Sequence, residues 1–189
     1  MATPLRAQNA EVVAGGRWYP AGAGFFGVIL ADNGIPNLCP WTIPLPLVQA
    51  VDEGGVSTTD GCEPFVNGDE IAGNVAFVER GTCTFVTKAA HAAQAGAQAV
   101  VIYQDDRVPP DDVTVTIMSG ECSPEECSAP AAFVSRATAL ELIDQGLPAV
   151  RVLADDNVLC GGCNYPAAWI GELATETVTF SVYNDGYLG

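Results

Sequence analysis

The sequence predicts an α+β, β-rich domain in which two helices flank a sheet and both ends run on as extended segments. Three observations carry that expectation. AVVIYQ is an unbroken apolar run of the kind found in strands buried on both faces. An alanine-rich stretch, FVTKAAHAAQAGAQ, lies between two β-forming stretches. Hydrophobic residues make up 49% of the 189-residue chain and charged ones 16%, which suits a packed core and excludes a disordered polar chain.

Taken in order, residues up to about Ile43 are rich in Gly, Pro and aromatics (GGRWYPAGAGFFGVIL) and read as short strands and turns. WTIPLPLV, with Pro44 and Pro46, reads as extended chain at an edge or as a covering loop, because proline cannot donate to a sheet ladder. Residues 71–79, IAGNVAFVE, read as a β-rich stretch, followed by the alanine-rich helix that Gly96 ends and then by AVVIYQ. DDRVPPDD is an acidic turn. A second unit repeats the layout: VTVTIM reads as a strand, Ser135 caps a helix over RATALELIDQ, Gly146 stops it, and AVRVLA returns as a strand. TETVTFSVY, alternating polar and apolar, reads as a half-buried strand.

The totals narrow the partners. With 23 acidic against 7 basic residues, a net charge of −16 opposes nucleic acid and anionic membrane surfaces. No apolar run approaches the ~20 residues that a membrane-spanning helix needs. Seven cysteines in a chain this small point to an oxidising compartment and an extracellular, secreted protein. The opening MATPLRAQNAEVVAGG lacks a signal-peptide apolar stretch, so the expectation is either export with cleavage or a chain numbered from inside a longer precursor.

Several constellations bear on chemistry. The single histidine, His91, stands mid-helix beside Lys88 with no nucleophile motif to accompany it, so no catalytic activity is expected. Cys122, Cys127, Cys160 and Cys163 can be written as a four-thiolate zinc site. The gap between the two pairs exceeds the roughly 12 to 20 residues common in zinc modules, which favours local disulfides Cys122–Cys127 and Cys160–Cys163. The odd cysteine, Cys39, lies among apolar neighbours and reads as a buried thiol, with an interchain bond as the alternative. Asp105, Asp106, Asp111 and Asp112 crowd one loop. They are weak candidates for calcium, a solvated acidic turn being the plainer account; no cofactor is otherwise expected.

STDGCEPFVNGDEIAGNVAFVERGTCTFVTKAAHAAQAGAQAVVIYQ resembles the core of the protease-associated (PA) domain family. The resemblance runs through Asp60-Gly61-Cys62, the strand before Arg80-Gly81, Cys83-x-Phe85, Lys88 and Ala95-Gly96-Ala97, and continues in APAAFVSRATALELIDQG. It implies an open β-barrel or sandwich over residues 10–155, leaving 1–9 as an extension and 156–189 as a tail. It further implies a non-catalytic module that contacts proteins, either as a lid or substrate-contact domain of a secreted protease or as part of a sorting receptor. Within that frame Cys83 ties the turn to Cys62, Gly81 permits a tight turn and Phe85 anchors the loop. Such a bridge closes about twenty residues and adds ~3 kcal/mol. Arg80, Gly81, Phe85 and Lys88 form the expected interaction loop, with pairing of Arg80 to Glu79 or Glu63 as the alternative.

Both ends carry aromatics: Trp18, Tyr19, Phe25 and Phe26 in the first, Trp169, Phe180, Tyr183 and Tyr187 in the second. Such ends suit completion of a neighbour's sheet. The expected partner is therefore protein, foremost further copies of this chain assembling into an oligomer or fibre.

Overall fold

A computed structural model describes residues 10–27 and 44–154. Eight strands form one sheet: β1 (Ala10–Ala14), β2 (Arg17–Phe25), β3 (Leu47–Gln49), β4 (Val75–Glu79), β5 (Ala99–Tyr103), β6 (Met118–Ser119), β7 (Ala131–Val134) and β8 (Val150–Ala154). Three helices accompany them: α1 (Gly68–Ile71), α2 (Phe85–Gln94) and α3 (Arg136–Asp144). The strand order is β3-β4-β5-β7-β2-β1-β8, with β6 pairing off this path on β2. The run from β3 to β7 is parallel, and the pairs β7–β2, β2–β1 and β1–β8 are antiparallel.

The proline-flanked segment closes this sheet into a barrel. Leu45 both donates to and accepts from Val150 of β8, at 2.9 and 2.8 Å, while two residues on β3 pairs with β4. The expectation of an edge or covering loop is corrected: the segment is paired on both sides. Pro46 lacks an N–H but needs only its carbonyl, which accepts from Val75 at 3.0 Å.

Alternate residues of the strands serve two cores. Val75 and Phe77 of β4, Ala99 and Val101 of β5, and Ala132 and Val134 of β7 face the barrel interior, which all seven path strands line and which Ala139 and Leu142 of α3 plug. Ala76, Val78, Val100, Ile102, Ala131 and Phe133 face outward under Ala89 and Ala92 of α2, Ile71 of α1 and Met118. Every residue of β5 is therefore buried, as its unbroken apolar run requires.

The two longer helices form over the stretches the sequence indicates, α3 with its expected cap and α2 with a cap at Thr84. The Thr84 hydroxyl accepts from Thr87 N and the Ser135 hydroxyl from Thr138 N. Each ends in a Schellman motif. Gly96 N reaches Ala93 O and Ala97 N reaches Ala92 O; Gly146 N reaches Ile143 O and Leu147 N reaches Leu142 O.

Several expectations are corrected. A third, one-turn helix joins the expected two. It takes Ile71 out of the expected 71–79 strand, and a turn through Ala72 to Asn74 separates it from β4. VTVTIM pairs only at Met118, because both edges of β2 opposite it are already taken by β1 and β7. The chain crosses β2 face-on instead, with Thr116 O where a side chain on Gly22 would stand. Tyr19, counted among the assembly residues, is buried in the barrel, and its hydroxyl donates to Glu141 of α3 at 3.0 Å. Cys39, Cys160, Cys163, Trp169, Phe180, Tyr183, Tyr187 and the TETVTFSVY strand lie outside the described residues.

Candidate functional site

Parallel strands end together, so β4, β5 and β7 deliver Arg80, Gln104 and Ser135 to one rim of the barrel. Backbone bonds fix the first two: Arg80 N to Tyr103 O at 2.8 Å and Gln104 N to Val134 O at 3.1 Å. The Arg80 guanidinium lies over the Phe85 and Phe133 rings, 5.6 and 5.8 Å from their centroids, and donates through Nη1 to Gln104 Oε1 at 3.0 Å. The two rings meet edge to face. Arg80 makes no ion pair with Glu79 or Glu63. Glu79 instead accepts from the Ser57 and Thr59 hydroxyls at 2.7 and 2.9 Å.

Behind the rim, Cys62 and Cys83 are bonded with Cα atoms 5.5 Å apart, and Cys122 with Cys127. One face of α2 grips the stapled loop. Lys88 Nζ donates to Asp60 O and lies 3.3 Å from Cys83 Sγ, and one turn on His91 Nδ1 meets Gly61 O at 3.0 Å. Since a carbonyl only accepts, that nitrogen carries the proton. Burial pulls the Lys88 ammonium below its ordinary value, partly offset by the charges of Asp60, Asp52, Glu79 and Asp105. Lys88 is fully buried, which corrects its place among the contact residues: it supports the loop from beneath. The expected reason for Gly81 is corrected too. The residue is needed for space, since the Asp60 carboxylate stands where a side chain would go.

The acidic loop behaves differently from a calcium bowl. Asp105 is almost buried; burial alone would raise its carboxyl, but the hydrogen bonds and charge of Arg107 outweigh this and hold it below the usual range. The contacts are 2.8 and 3.0 Å from Arg107 Nε and 2.6 Å from Nη2. Asp112 turns its carboxylate onto Thr114 N at 2.7 Å. Arg107 itself is largely exposed and reaches Gly81 O at 3.4 Å, so the rim carries the guanidiniums of Arg80 and Arg107, with that of Arg136 donating to Asp105 O and Val108 O beside them, on a chain of net charge −16.

A different set of acids comes together beneath the loop. Asp52, Asp60 and Glu63 each place one carboxylate oxygen within 4.8 Å of the others. Asp52 and Asp60 are 1% exposed. Both oxygens of Asp52, and Oε2 of Glu63, lack a hydrogen-bond partner among the described residues. Only Gly54-Gly55, whose left-handed turn lies against Glu63, gave any signal of this pocket in the sequence.

The PA domain family matches residues 43–142. Two aminopeptidases of Pseudomonas aeruginosa, from strains UCBPP-PA14 and ATCC 15692, are each 43% identical over 65 residues, covering 32% of this chain and 12% of their own length. A zinc aminopeptidase from Bacillus subtilis has a similar fold, with a TM-score of 0.50 at 18% identity over 78% of this chain and 31% of its own. The chain thus corresponds to a small part of each of these relatives.

Proposed function

We infer, from the premise that this chain belongs to the PA domain family, that it is an extracellular protein-contact module accompanying a peptidase, without catalytic groups of its own. The observation that carries this reading is how its reactive side chains are spent: Lys88 and His91 hold the carbonyls of Asp60 and Gly61. Here α2 uses both residues to stiffen the loop at Asp60 and Gly61, and no nucleophile motif accompanies them. That loop is tied through the Cys62–Cys83 bridge to residues 80–84, which with Arg107 beside them are the contact surface. Its guanidiniums suit carboxylates and backbone carbonyls of an extended polypeptide. The two bridges among the described residues favour the extracellular assignment.

The test has two arms. The full chain, incubated with aminoacyl p-nitroanilides and zinc, should release no nitroaniline. Hydrogen exchange with peptides of reduced casein as the probe should show protection at residues 80–84 and 104–107, diminished in R107A. Turnover abolished by H91A, or protection spread evenly over the barrel, counts against the reading.

Self-association through the chain ends is a second reading, favoured by Trp18 of β2, which is 51% exposed. Light scattering of the full chain and of one ending at Asp156 tests it. A monomer in both removes it.

A further inference from the structure

We propose that Asp52, Asp60 and Glu63 form a site for one calcium-class divalent cation, which ties the start of the 52–65 excursion to the disulfide-stapled loop. The starting point is an imbalance. A carboxylate buried without partners is strongly unfavourable, and buried charges are ordinarily paired or bound to metal. Asp52 is 1% exposed, yet neither of its oxygens finds a hydrogen-bond donor among the described residues, and Glu63 Oε2 is in the same position. Asp60, equally buried, offers its carboxylate to the same small volume.

The nearest basic group does not resolve the imbalance. Lys88 directs its ammonium at the Asp60 carbonyl and the Cys62 and Cys83 sulfurs, and the ion pairs of the described residues are Arg17–Glu141 and Arg107–Asp105. Three carboxylates beside one ammonium leave two negative charges, which one divalent ion neutralises. The donors are all oxygen, with neither imidazole nor thiolate among them: Gly61 O occupies His91 Nδ1, and both nearby cysteines are oxidised. Hard oxygen donors of irregular arrangement suit calcium, whereas magnesium demands near-octahedral geometry and keeps its waters.

Chain connectivity gives the ion a consequence. Asp52 N donates to Thr58 O and Val66 N to Val51 O, so the excursion leaves and returns beside Asp52. Asp60 and Glu63 flank Gly61-Cys62, the point held by α2 and by the bridge to Cys83. An ion shared by the three would clamp the excursion to the rim's support, and losing it would loosen the surface at residues 80–84.

The test uses the full chain with disulfides intact, stripped with a chelator and titrated calorimetrically with calcium chloride, then melted with and without the ion. One calcium per chain is expected, with a Tm rise of about 5 to 10 °C when free calcium is about a hundred times Kd. Magnesium at equal concentration should give less. D52N and E63Q should each weaken binding by about tenfold or more, because removing a charged ligand is how such sites lose affinity. D52N should also melt at or above wild type in chelator, since it removes an unpaired buried charge. If D52N does not fold, E63Q, altered at a half-buried position, carries the comparison. A D111N/D112N variant controls for the acidic surface and should bind as wild type does. Heats without a saturating single site, or equal binding by wild type and E63Q, overturn the proposal and leave only screening of an acidic chain.

Discussion

The Asp60 carboxylate fills the space beside Gly81: a Cβ at residue 81 would stand 2.2 Å from Asp60 Oδ2 and 2.4 Å from its Cβ. Gly81→Ala must therefore displace a side chain that is 1% exposed and whose Oδ1 accepts from Cys62 N at 3.2 Å. Overpacking of this kind costs about 1 to 3 kcal/mol. The clash belongs to the pair, so Asp60→Ala combined with Gly81→Ala should cost clearly less than the sum of the two single changes. Urea unfolding of the four proteins measures it, and strict additivity would show that the two residues do not compete for space.

The two bridges differ in the loops they close, with separations of 21 and 5 residues. Limiting the unfolded chain makes C62A/C83A cost about 3 kcal/mol and C122A/C127A about 2 kcal/mol. The first change also frees the loop gripped by Lys88 and His91, so its excess should grow, and proteolysis should nick residues 57–65 first. A larger loss from C122A/C127A would reverse this ranking.

What the sequence revealed follows the range of the interactions. Helices α2 and α3 were readable because the alanine-rich run, Ser135, Gly96 and Gly146 act within a turn of themselves, whereas the Thr84 cap was not singled out. The core of β4 and all of β5 were readable because burial on both faces leaves an unbroken apolar run. Barrel closure at Leu45 was not, since its partner Val150 lies a hundred residues on and the flanking prolines argue locally for an edge. The 113–118 stretch misled for the opposite reason: its alternating pattern is strand-like, but only Met118 finds a strand edge to pair with. At the site, Arg80 and Gly81 stood out by resemblance. The burial of Lys88 and the meeting of Asp52 with Asp60 and Glu63 depend on long-range folding, and a lysine or an aspartate carries no local sign of being inside.

Alkaline pH should act through Tyr103. Burial, helped by the charge of Glu79, pushes its hydroxyl up to about 12 from 10.0, against side-chain hydrogen bonding with Thr59 and Gln49. A group whose folded value is raised contributes stability that is complete below the unfolded value and lost as pH climbs through the folded one. The loss therefore falls between pH 10 and 12 and is on the order of 2 to 3 kcal/mol. Lys88 acts in the other direction. Its folded value is lowered, so its contribution improves as pH rises toward 10.5. Comparing Tyr103→Phe with wild type isolates the tyrosine, because Lys88 is common to both. The variant should lack the steep alkaline limb, and tyrosinate absorbance should show one late titration fewer. Parallel loss in the two proteins would assign the limb elsewhere.

Arg80 and Arg107 share the rim but are held differently, and that difference separates bracing from contact. Arg80 is clamped between two rings and Gln104, whereas Arg107 rests on Asp105 with most of its side chain in water. Lysine at position 80 keeps the charge but loses the planar group that lies over the rings while bonding Gln104. Arg80→Lys should cost about 1 kcal/mol of stability, the scale of one exposed cation–π contact or one hydrogen bond, and Arg80→Ala about twice that. Arg107→Ala should cost about 1 to 3 kcal/mol, because it leaves the nearly buried Asp105 carboxylate with only the backbone N–H of residue 107 as donor, and it should in addition weaken capture of casein peptides, which Arg80→Lys should not. Thermal unfolding and peptide binding measured on all three variants distinguish the roles. If Arg80→Lys binds and unfolds as wild type does, the guanidinium plane is unused. If Arg107→Ala binds normally, the contact surface does not include that side of the rim.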